Sequence, residues 1–170
     1  MTAVPAPTAP PAPTVPGVED ALASQVLASL PGLVSEARRT GVRRVTARAP
    51  PERIRDAVSG LKALGCRHLS GMSGLDLGER LEVLYHVSAP RGIVLSLRAA
   101  VPRTAPRLPT VSDLFPVAGI YEREIHDLFG IEFEGLKDTR PLLLYEGWPK
   151  GQYPLRKDWK PAGAGEVKHA

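Results

Sequence analysis

The sequence predicts an α+β fold: an antiparallel or mixed sheet with helices on one face, followed by an extended C-terminal tail. Helical and strand periodicities alternate at first, and a run of strands then precedes the last helix. This segregation of strands is typical of α+β proteins. From residue 135 onward, frequent Gly and Pro residues interrupt every regular pattern. The chain therefore divides into an extension at 1–17, a core domain at 18–134 and a tail at 135–170.

The N-terminal extension carries no charge. Residues 2–16 are Ala, Pro, Thr and Val, and six of them are proline. Prolines prevent a helix and the small side chains have little apolar surface to bury, so we predict that this Pro/Ala-rich segment is disordered. The first helix is predicted at 18–30, because Pro31 and Gly32 stop it.

The next segment predicts a helix, a strand and a helix. A short helical piece is expected at 33–39. A half-exposed strand is expected at 42–48, where Val45 and Ala47 alternate with polar residues. The following helix opens at Pro51 and ends at Gly65. Its apolar residues recur at helical spacing and are Ile54, Val58, Leu61 and Leu64.

Strands dominate the middle of the chain. One is predicted at 68–72, and two longer ones show period-two alternation on either side of a hairpin connection at Pro90–Gly92. The alternating apolar residues are Leu81, Val83, Tyr85 and Val87 in the first, and Ile93, Leu95, Leu97, Ala99 and Val101 in the second.

The last helix is predicted at 116–129, with a proline in its first turn and Gly130 just past its end. One apolar stripe should face the core; it consists of Val117, Ile120, Tyr121, Ile125 and Leu128. The opposite face should be exposed, with ion pairs between Glu122 and His126 and between Arg123 and Asp127. Glu124 projects within the apolar arc, where a carboxylate needs a partner or a route to water.

Four interpretations of the charged face compete. Glu122 and His126 are spaced as metal ligands can be, but a site needs three or four ligands and no second His or Cys cluster is near. Glu122 and Glu124 could form an acid/base pair, but residues two apart on a helix point about 200° apart. A face that pairs with Arg and Lys of a partner chain is the interpretation we favour. A solvated face with internal ion pairs remains its main competitor.

Composition limits the chemistry. Cys66 is the single cysteine and the four histidines are scattered, whereas an iron–sulfur cluster takes about four thiolates. We therefore predict a protein without cofactors. No apolar run approaches the roughly 18 residues of a transmembrane helix, and no signal-peptide pattern is visible, so a cytoplasmic location is predicted.

The chain is basic, with a net charge of +4 and a pI of about 9.5. Seven arginines cluster in its first third, namely Arg38, Arg39, Arg43, Arg44, Arg48, Arg53 and Arg55. Since no aromatic residue lies among them to stack on bases, direct nucleic-acid binding is only a minor alternative. A solvated face or an interface with acidic subunits explains the cluster as well.

The tail is too interrupted by Gly and Pro to form long helices, yet it is rich in Trp, Tyr, Leu and Arg. This composition is typical of interface anchors. We expect the tail to lie across a neighbouring subunit. The alternative is that it packs back on its own sheet.

The segment at 121–144 resembles the signature of the 30-kDa subunit family of respiratory NADH dehydrogenase, complex I. Segments at 110–116 and 153–158 resemble the family's motifs before and after that signature. Leu136 departs from the pattern, because the family has a basic residue there. The matching signature residues are Glu122, Arg123, Glu124, Asp127, Leu128, Phe129 and Arg140.

The resemblance implies a non-catalytic, cofactor-free structural subunit of the hydrophilic arm of an NADH:quinone oxidoreductase. Its partners would be the subunits that carry the quinone cavity and the iron–sulfur clusters, and they would hold it at the cytoplasmic side of the membrane. The alternative is the equivalent subunit of a related membrane-bound nickel–iron hydrogenase. The residues predicted to form the subunit interface are Glu122, Arg123, Glu124, Asp127, Arg140, Trp148, Tyr153, Arg156, Lys157 and Trp159.

Overall fold

The computed structural model describes residues 17–161. The predicted disorder of 1–17 lies outside this range apart from Gly17, as do residues 162–170 of the predicted tail. Within the described residues, the helices are α1 (Val18–Ser29), α2 (Ile54–Ala63) and α3 (Ala118–Phe129). The strands are β1 (Ser35–Gly41), β2 (Arg44–Arg48), β3 (His68–Asp76), β4 (Arg80–Ala89), β5 (Ile93–Pro102), β6 (Arg107–Pro109) and β7 (Glu132–Glu134).

Five strands form one mixed sheet in the order β1-β2-β5-β4-β3. Strand β2 runs parallel to β5, and the other neighbours are antiparallel. The short strands β6 and β7 form a separate parallel pair. The predicted α+β class with a mixed sheet is confirmed.

The helices cover one face of the sheet. Alternate residues of β4 and β5 are buried against them, from Leu81 to Ala89 and from Ile93 to Val101, while the residues between are mostly half-buried. Helix α1 packs on β1 and β2, and α3 packs on β3. The approach of α3 is close, because a Cβ atom at Gly74 would lie 2.5 Å from the ring of Phe129.

The structure differs from the prediction at one element and at several boundaries. The segment 33–39, predicted as helical, forms edge strand β1 instead. Its side chains are exposed or half-buried along its whole length, so no alternation marks it, and pairing with β2 decides its conformation. The strand predicted at 42–48 begins at Arg44, and the one predicted at 68–72 continues to Asp76. The β6–β7 pair was not predicted.

Tyr85 is fully buried, and its hydroxyl is the buried side-chain polar atom without a hydrogen-bond partner in residues 17–161. Burial, and then the nearby charge of Glu122, hold the pKa of Tyr85 well above its ordinary value. An unsatisfied buried polar group costs about 1–3 kcal/mol.

We therefore expect Tyr85→Phe to leave the melting temperature unchanged or to raise it by a few degrees, in a thermal unfolding experiment. Leu95→Ala, at an equally buried position of the adjacent strand, is the control and should destabilise the domain by about 2–5 kcal/mol. A clear loss of stability in Tyr85→Phe would mean that the hydroxyl is hydrogen-bonded.

Candidate functional site

Helix α3 turns a different face to the core than its apolar stripe predicts. Val117 and Ile120 are 38% and 52% exposed, whereas Glu122 and Asp127 are buried. The predicted exposed face with two ion pairs along the helix is therefore wrong. Both carboxylates are buried because each accepts hydrogen bonds from a segment packed against α3, and these bonds offset the loss of hydration.

Glu122 joins α3 to the segment that follows β6. Its carboxylate accepts hydrogen bonds from the hydroxyl of Thr110 at 2.5 Å and from the backbone N–H of Val111 at 2.8 Å. Burial raises the pKa of Glu122, and these two hydrogen bonds oppose that rise. A side chain with no exposed surface cannot touch a docking partner, so Glu122 organises the domain rather than the predicted interface.

Arg123 holds the first part of the tail. Its guanidinium donates to the carbonyl oxygens of Arg140 at 2.8 Å and Pro141 at 3.0 Å, and it pairs with Asp138 at 3.2 Å. Only 17% of its side chain is exposed. One planar donor group therefore fixes the chain direction at 138–141, which a point-like ammonium would do less well.

Asp127 binds the next turn of the tail. Its Oδ2 atom accepts the backbone N–H groups of Leu142 and Leu143 at 2.8 Å and of Leu144 at 3.3 Å. Three converging N–H groups satisfy a carboxylate that is 6% exposed. Asp127 thus orders three consecutive leucines through their backbone and leaves their side chains to face elsewhere.

The tail also caps the C-terminal end of α3, where carbonyl groups lack partners within the helix. Leu155 donates its N–H to the carbonyl of Leu128 at 3.1 Å, and Arg156 donates to that of Phe129 at 2.7 Å. The Arg156 guanidinium stacks on the ring of Tyr153, 4.4 Å from its centroid. Gly130 is left-handed, with φ of 69°, and a Cβ atom there would overlap that ring.

A fourth contact fixes the end of the tail on strand β3. Asp76 accepts from the backbone N–H of Lys157 at 2.8 Å and from Arg103 at 2.6 Å, and Arg103 also pairs with Asp158. Burial acts to raise the pKa of Asp76, but the hydrogen bonds from Arg103, Lys157 and Gly78 outweigh it and lower the pKa to about 2.

The tail therefore packs back on its own domain through polar contacts, which is the alternative to the predicted position across a neighbouring subunit. Between 135 and 161 it contains turns and no helix or strand. Many of its apolar side chains nevertheless point outward: the exposed fractions are 37% for Leu142, 56% for Leu143, 66% for Tyr145 and 53% for Leu155.

Aromatic contacts stiffen this outward surface. Trp148 stacks on Trp159 with 6.1 Å between ring centroids, and Tyr145 meets Trp148 edge-on at 5.9 Å. Trp148 also donates its indole N–H to the carbonyl of Gln152 at 2.8 Å.

Leu136, where the family has a basic residue, is half-buried and packs near Gly119 at the start of α3.

The structure places the residues predicted for the interface in three settings. Glu122 is buried within the domain, and Arg123, Asp127 and Arg156 connect α3 to the tail. Arg140 and Lys157 are exposed, and the others are half-buried, namely Glu124, Trp148, Tyr153 and Trp159. Asp76 and Arg103 were not predicted, because their tail partners lie 81 and 55 residues away and no local pattern marks them.

Acidification should release the end of the tail. Because the pKa of folded Asp76 is depressed, its contribution is complete at neutral pH, begins to fall below about pH 4 and is lost near pH 2. Both tryptophans of the chain lie in the tail. Their fluorescence should therefore change in this pH window, before the far-ultraviolet circular dichroism of the sheet is lost. Asp76→Asn should remove most of that early change, and an unaltered pH profile in this variant would contradict the assignment.

The described residues offer no cluster of metal ligands, because no three His, Cys, Asp or Glu side chains among them lie close enough together to hold a metal ion. No helix within 17–161 is long and apolar enough to cross a membrane. Cys66 is buried, and burial raises the pKa of its thiol to about 11.

The chain has relatives among known proteins. The chain is 41% identical over 123 residues to NADH-quinone oxidoreductase subunit 5 of Thermus thermophilus, which covers 65% of this chain and 58% of that relative. It is 33% identical over 143 residues to the membrane-bound hydrogenase subunit beta of Pyrococcus furiosus, covering 81% and 83%. It is 34% identical over 134 residues to a subunit of the F(420)H(2) dehydrogenase of Methanosarcina mazei, covering 76% and 84%.

Solved structures share the fold. A chain of the membrane-bound sulfane sulfur reductase, an archaeal respiratory membrane complex, superposes with a TM-score of 0.75 at 28% identity, over 83% of this chain and 85% of that one. The trypsin-resistant fragment 1–134 of Nqo5 superposes with a TM-score of 0.59 at 32% identity, over 70% and 97%. The family profile described as "Respiratory-chain NADH dehydrogenase, 30 Kd subunit" matches residues 47–164. The chain therefore belongs to the 30-kDa subunit family of respiratory-chain NADH dehydrogenase.

Proposed function

We propose that the chain is a structural subunit, without catalytic residues or cofactors of its own, in the hydrophilic arm of an NADH:quinone oxidoreductase. In this role it supports electron transfer from NADH to quinone by bracing the subunits that carry the iron–sulfur clusters and the quinone cavity. It would be held peripherally at the cytoplasmic side of the membrane by those partners.

The observation that carries the proposal is the construction of the tail. Its backbone is fixed by Arg123, Asp127 and Asp76, while Leu143 and Tyr145 expose more than half of their surface. Ordering an irregular segment is costly, and a monomer gains little from ordering one that leaves its large apolar side chains in water. A preorganised surface of this kind binds a partner at a lower entropic cost.

The relatives support a bracing role over a role in donor chemistry. They are named as subunits of an NADH-quinone oxidoreductase, an F(420)H(2) dehydrogenase and a membrane-bound hydrogenase. One module that recurs in complexes with different electron donors is better suited to holding subunits together than to recognising any one donor.

A second candidate is the equivalent subunit of a membrane-bound nickel–iron hydrogenase. The observation that favours it is the longer alignment: the Pyrococcus furiosus hydrogenase subunit matches 81% of this chain, and the first Thermus thermophilus relative matches 65% of it. Purification of the native complex through a tag on this chain separates the two candidates. NADH-dependent quinone reduction by the purified complex supports the first, and hydrogen-dependent reduction supports the second.

The exposed side chains of the tail provide the mutational test. Leu143→Ala with Tyr145→Ala should lower the recovery of partner subunits at least about tenfold, since each buried anchor contributes about 1.5–3 kcal/mol. Leu27→Ala, at a position of α1 that is 39% exposed, is the matched control and should have no effect. If the double variant recovers its partners as the wild type does, these side chains do not form the interface.

A further inference from the structure

The sheet has a second face that no helix covers among the described residues. It is opposite to the face buried by α1, α2 and α3, and we call it the open face. In β5 its residues are half-buried and alternate with the fully buried ones, and the same holds for most of β4. Four strand spacings of about 4.8 Å make it about 20 Å wide, the length of about six extended residues.

Arginines dominate the charge of the open face. Strand pairing places Arg48 beside Arg98, and Arg44 beside Val94, on the side to which Glu82 also points. The five arginines of this face are Arg38, Arg44, Arg48, Arg80 and Arg98. Two carboxylates, Glu36 and Glu82, oppose them through the ion pairs with Arg48, Arg80 and Arg98, which leaves a formal charge of +3.

Glu82 lies beneath three of these arginines and has no exposed surface. Arg98 binds its Oε2 atom through Nε at 2.8 Å and through Nη2. Arg48 and Arg80 approach Oε1 only at 3.4 and 3.5 Å. One carboxylate cannot satisfy three guanidinium groups, each with five N–H donors. Glu36 takes the Nε atom of Arg48 at 2.8 Å, and the side chains of Arg48 and Arg80 are still 37% and 55% exposed, so both keep N–H donors that a partner can reach.

The charge also reaches the middle of the face. Burial, and then the positive charge of Arg44, lower the pKa of His86 below its ordinary value. His86 is therefore neutral at pH 7, and it bonds to Ser96 at 2.8 Å. The centre of the open face is a row of small polar groups inside a frame of arginines.

We propose that the open face binds an acidic segment of about six residues, rich in Asp or Glu, from another subunit of the complex. Guanidinium groups bind carboxylates in fixed, two-pronged geometry, and the excess of positive charge favours an anionic partner over a neutral or cationic one. A second copy of this chain that docks through its own open face is disfavoured as the occupant, because it would bring another +3 to the same place. Nucleic acid is disfavoured, because the described strands place no aromatic side chain on this face for base stacking.

This inference rests on the proposed function, since it names the chemistry of one partner of that subunit. It concerns a surface whose residues do not belong to the tail, so the inference can fail while the proposed function stands, and the reverse. Arg38 and Arg44 are both at least partly exposed, and neither belongs to the ion-pair cluster around Glu82. Reversing their charge therefore alters the face while leaving that cluster intact.

The first experiment is recovery of the native complex through a tag on the full chain. Arg38→Glu with Arg44→Glu should lower the recovery of at least one partner subunit about tenfold or more at about 0.15 M salt, with an unchanged melting temperature. Arg91→Glu is the control, because Arg91 lies beside α1 on the covered side of the sheet. Undiminished recovery in the double variant, while the tail variants lose their partners, would overturn the inference and leave the proposed function standing.

The second experiment identifies the partner chemistry directly. Strands β1 to β5 contain no lysine. Arg44→Lys therefore introduces a single amine on the face, and a carbodiimide joins amines only to carboxylates in contact. We expect a cross-link from residue 44 to an Asp or Glu of another subunit, and none from Arg91→Lys. The absence of an intermolecular cross-link at residue 44 would overturn the proposal. The proposal would also fail if nuclease treatment removed the occupant of the face, because the occupant would then be a nucleic acid.

Discussion

A chain that ends after Gly135 is expected to keep its sheet but to lose its place in the complex. The buried core residues extend no further than Phe133 among the described residues, so the apolar core stays complete. Asp76 and Asp127 lose the backbone N–H groups that they bind, yet they become solvated when the tail is absent, which limits the cost. We expect a fall of several degrees, about 5 °C, in the melting temperature.

Assembly should suffer far more than folding. The truncation removes Leu142, Leu143, Tyr145 and Leu155, each worth about 1.5–3 kcal/mol if buried at a partner, so recovery should fall more than about a hundredfold. Circular dichroism and gel filtration test the fold, and tagged purification tests assembly. A chain that ends after Pro161 is the control, because it keeps every described contact of the tail. An unfolded 1–135 chain would show that the tail belongs to the core. A 1–135 chain that still assembles would show that the main partner interface lies outside the tail.

Arg123→Ala is expected to loosen the tail and reduce assembly while leaving the sheet intact. Arg123 donates to two carbonyl groups and one carboxylate with 17% of its side chain exposed. Hydrogen bonds from a charged group contribute about 1.5–3 kcal/mol each, part of which water recovers when 138–141 moves away. A net loss of about 3 kcal/mol in tail docking corresponds to about a hundredfold loss of assembly.

Two comparisons make this test specific. Arg123→Lys keeps the charge but not the planar donor group, and it should restore only part of the assembly. Arg107→Ala removes an exposed ion pair with Glu132, in which 61% of the Arg107 side chain is exposed, and it should change little. Hydrogen exchange of the amides at 138–144 in the isolated subunit reports whether the tail has loosened. Equal exchange and equal recovery in Arg123→Ala and the wild type would refute the role of Arg123.

The sequence predicts the elements whose packing follows a local period. Strands β4 and β5 alternate because one face is buried along their whole length, and α2 places its apolar residues at helical spacing. Edge strand β1 could not be predicted, since almost none of it is buried and pairing alone holds it. The signature of the family also marked α3 and the tail as the region of interest.

The contacts that build the site could not be read from periodicity. The apolar periodicity of α3 predicts that Ile120 is buried and Glu122 exposed. The structure shows the opposite, because Glu122 is hydrogen-bonded to Thr110 and Val111 inside the domain. Burial of a carboxylate depends on where N–H and O–H donors from distant segments arrive. Asp127 is buried for the same reason, because backbone groups 15 to 17 residues further along converge on it.

Thiol labelling in the assembled complex tests most directly whether the outward side chains of the tail form the partner interface. Cys66 is buried with a pKa of about 11, so a cysteine introduced at Leu143 is the reactive one. In the isolated subunit Leu143→Cys and the control Leu27→Cys should both react with a maleimide. In the purified complex Leu143→Cys should react at least about tenfold more slowly, while Leu27→Cys keeps its rate. Equal labelling of Leu143→Cys in the free and assembled subunit would contradict the proposed interface.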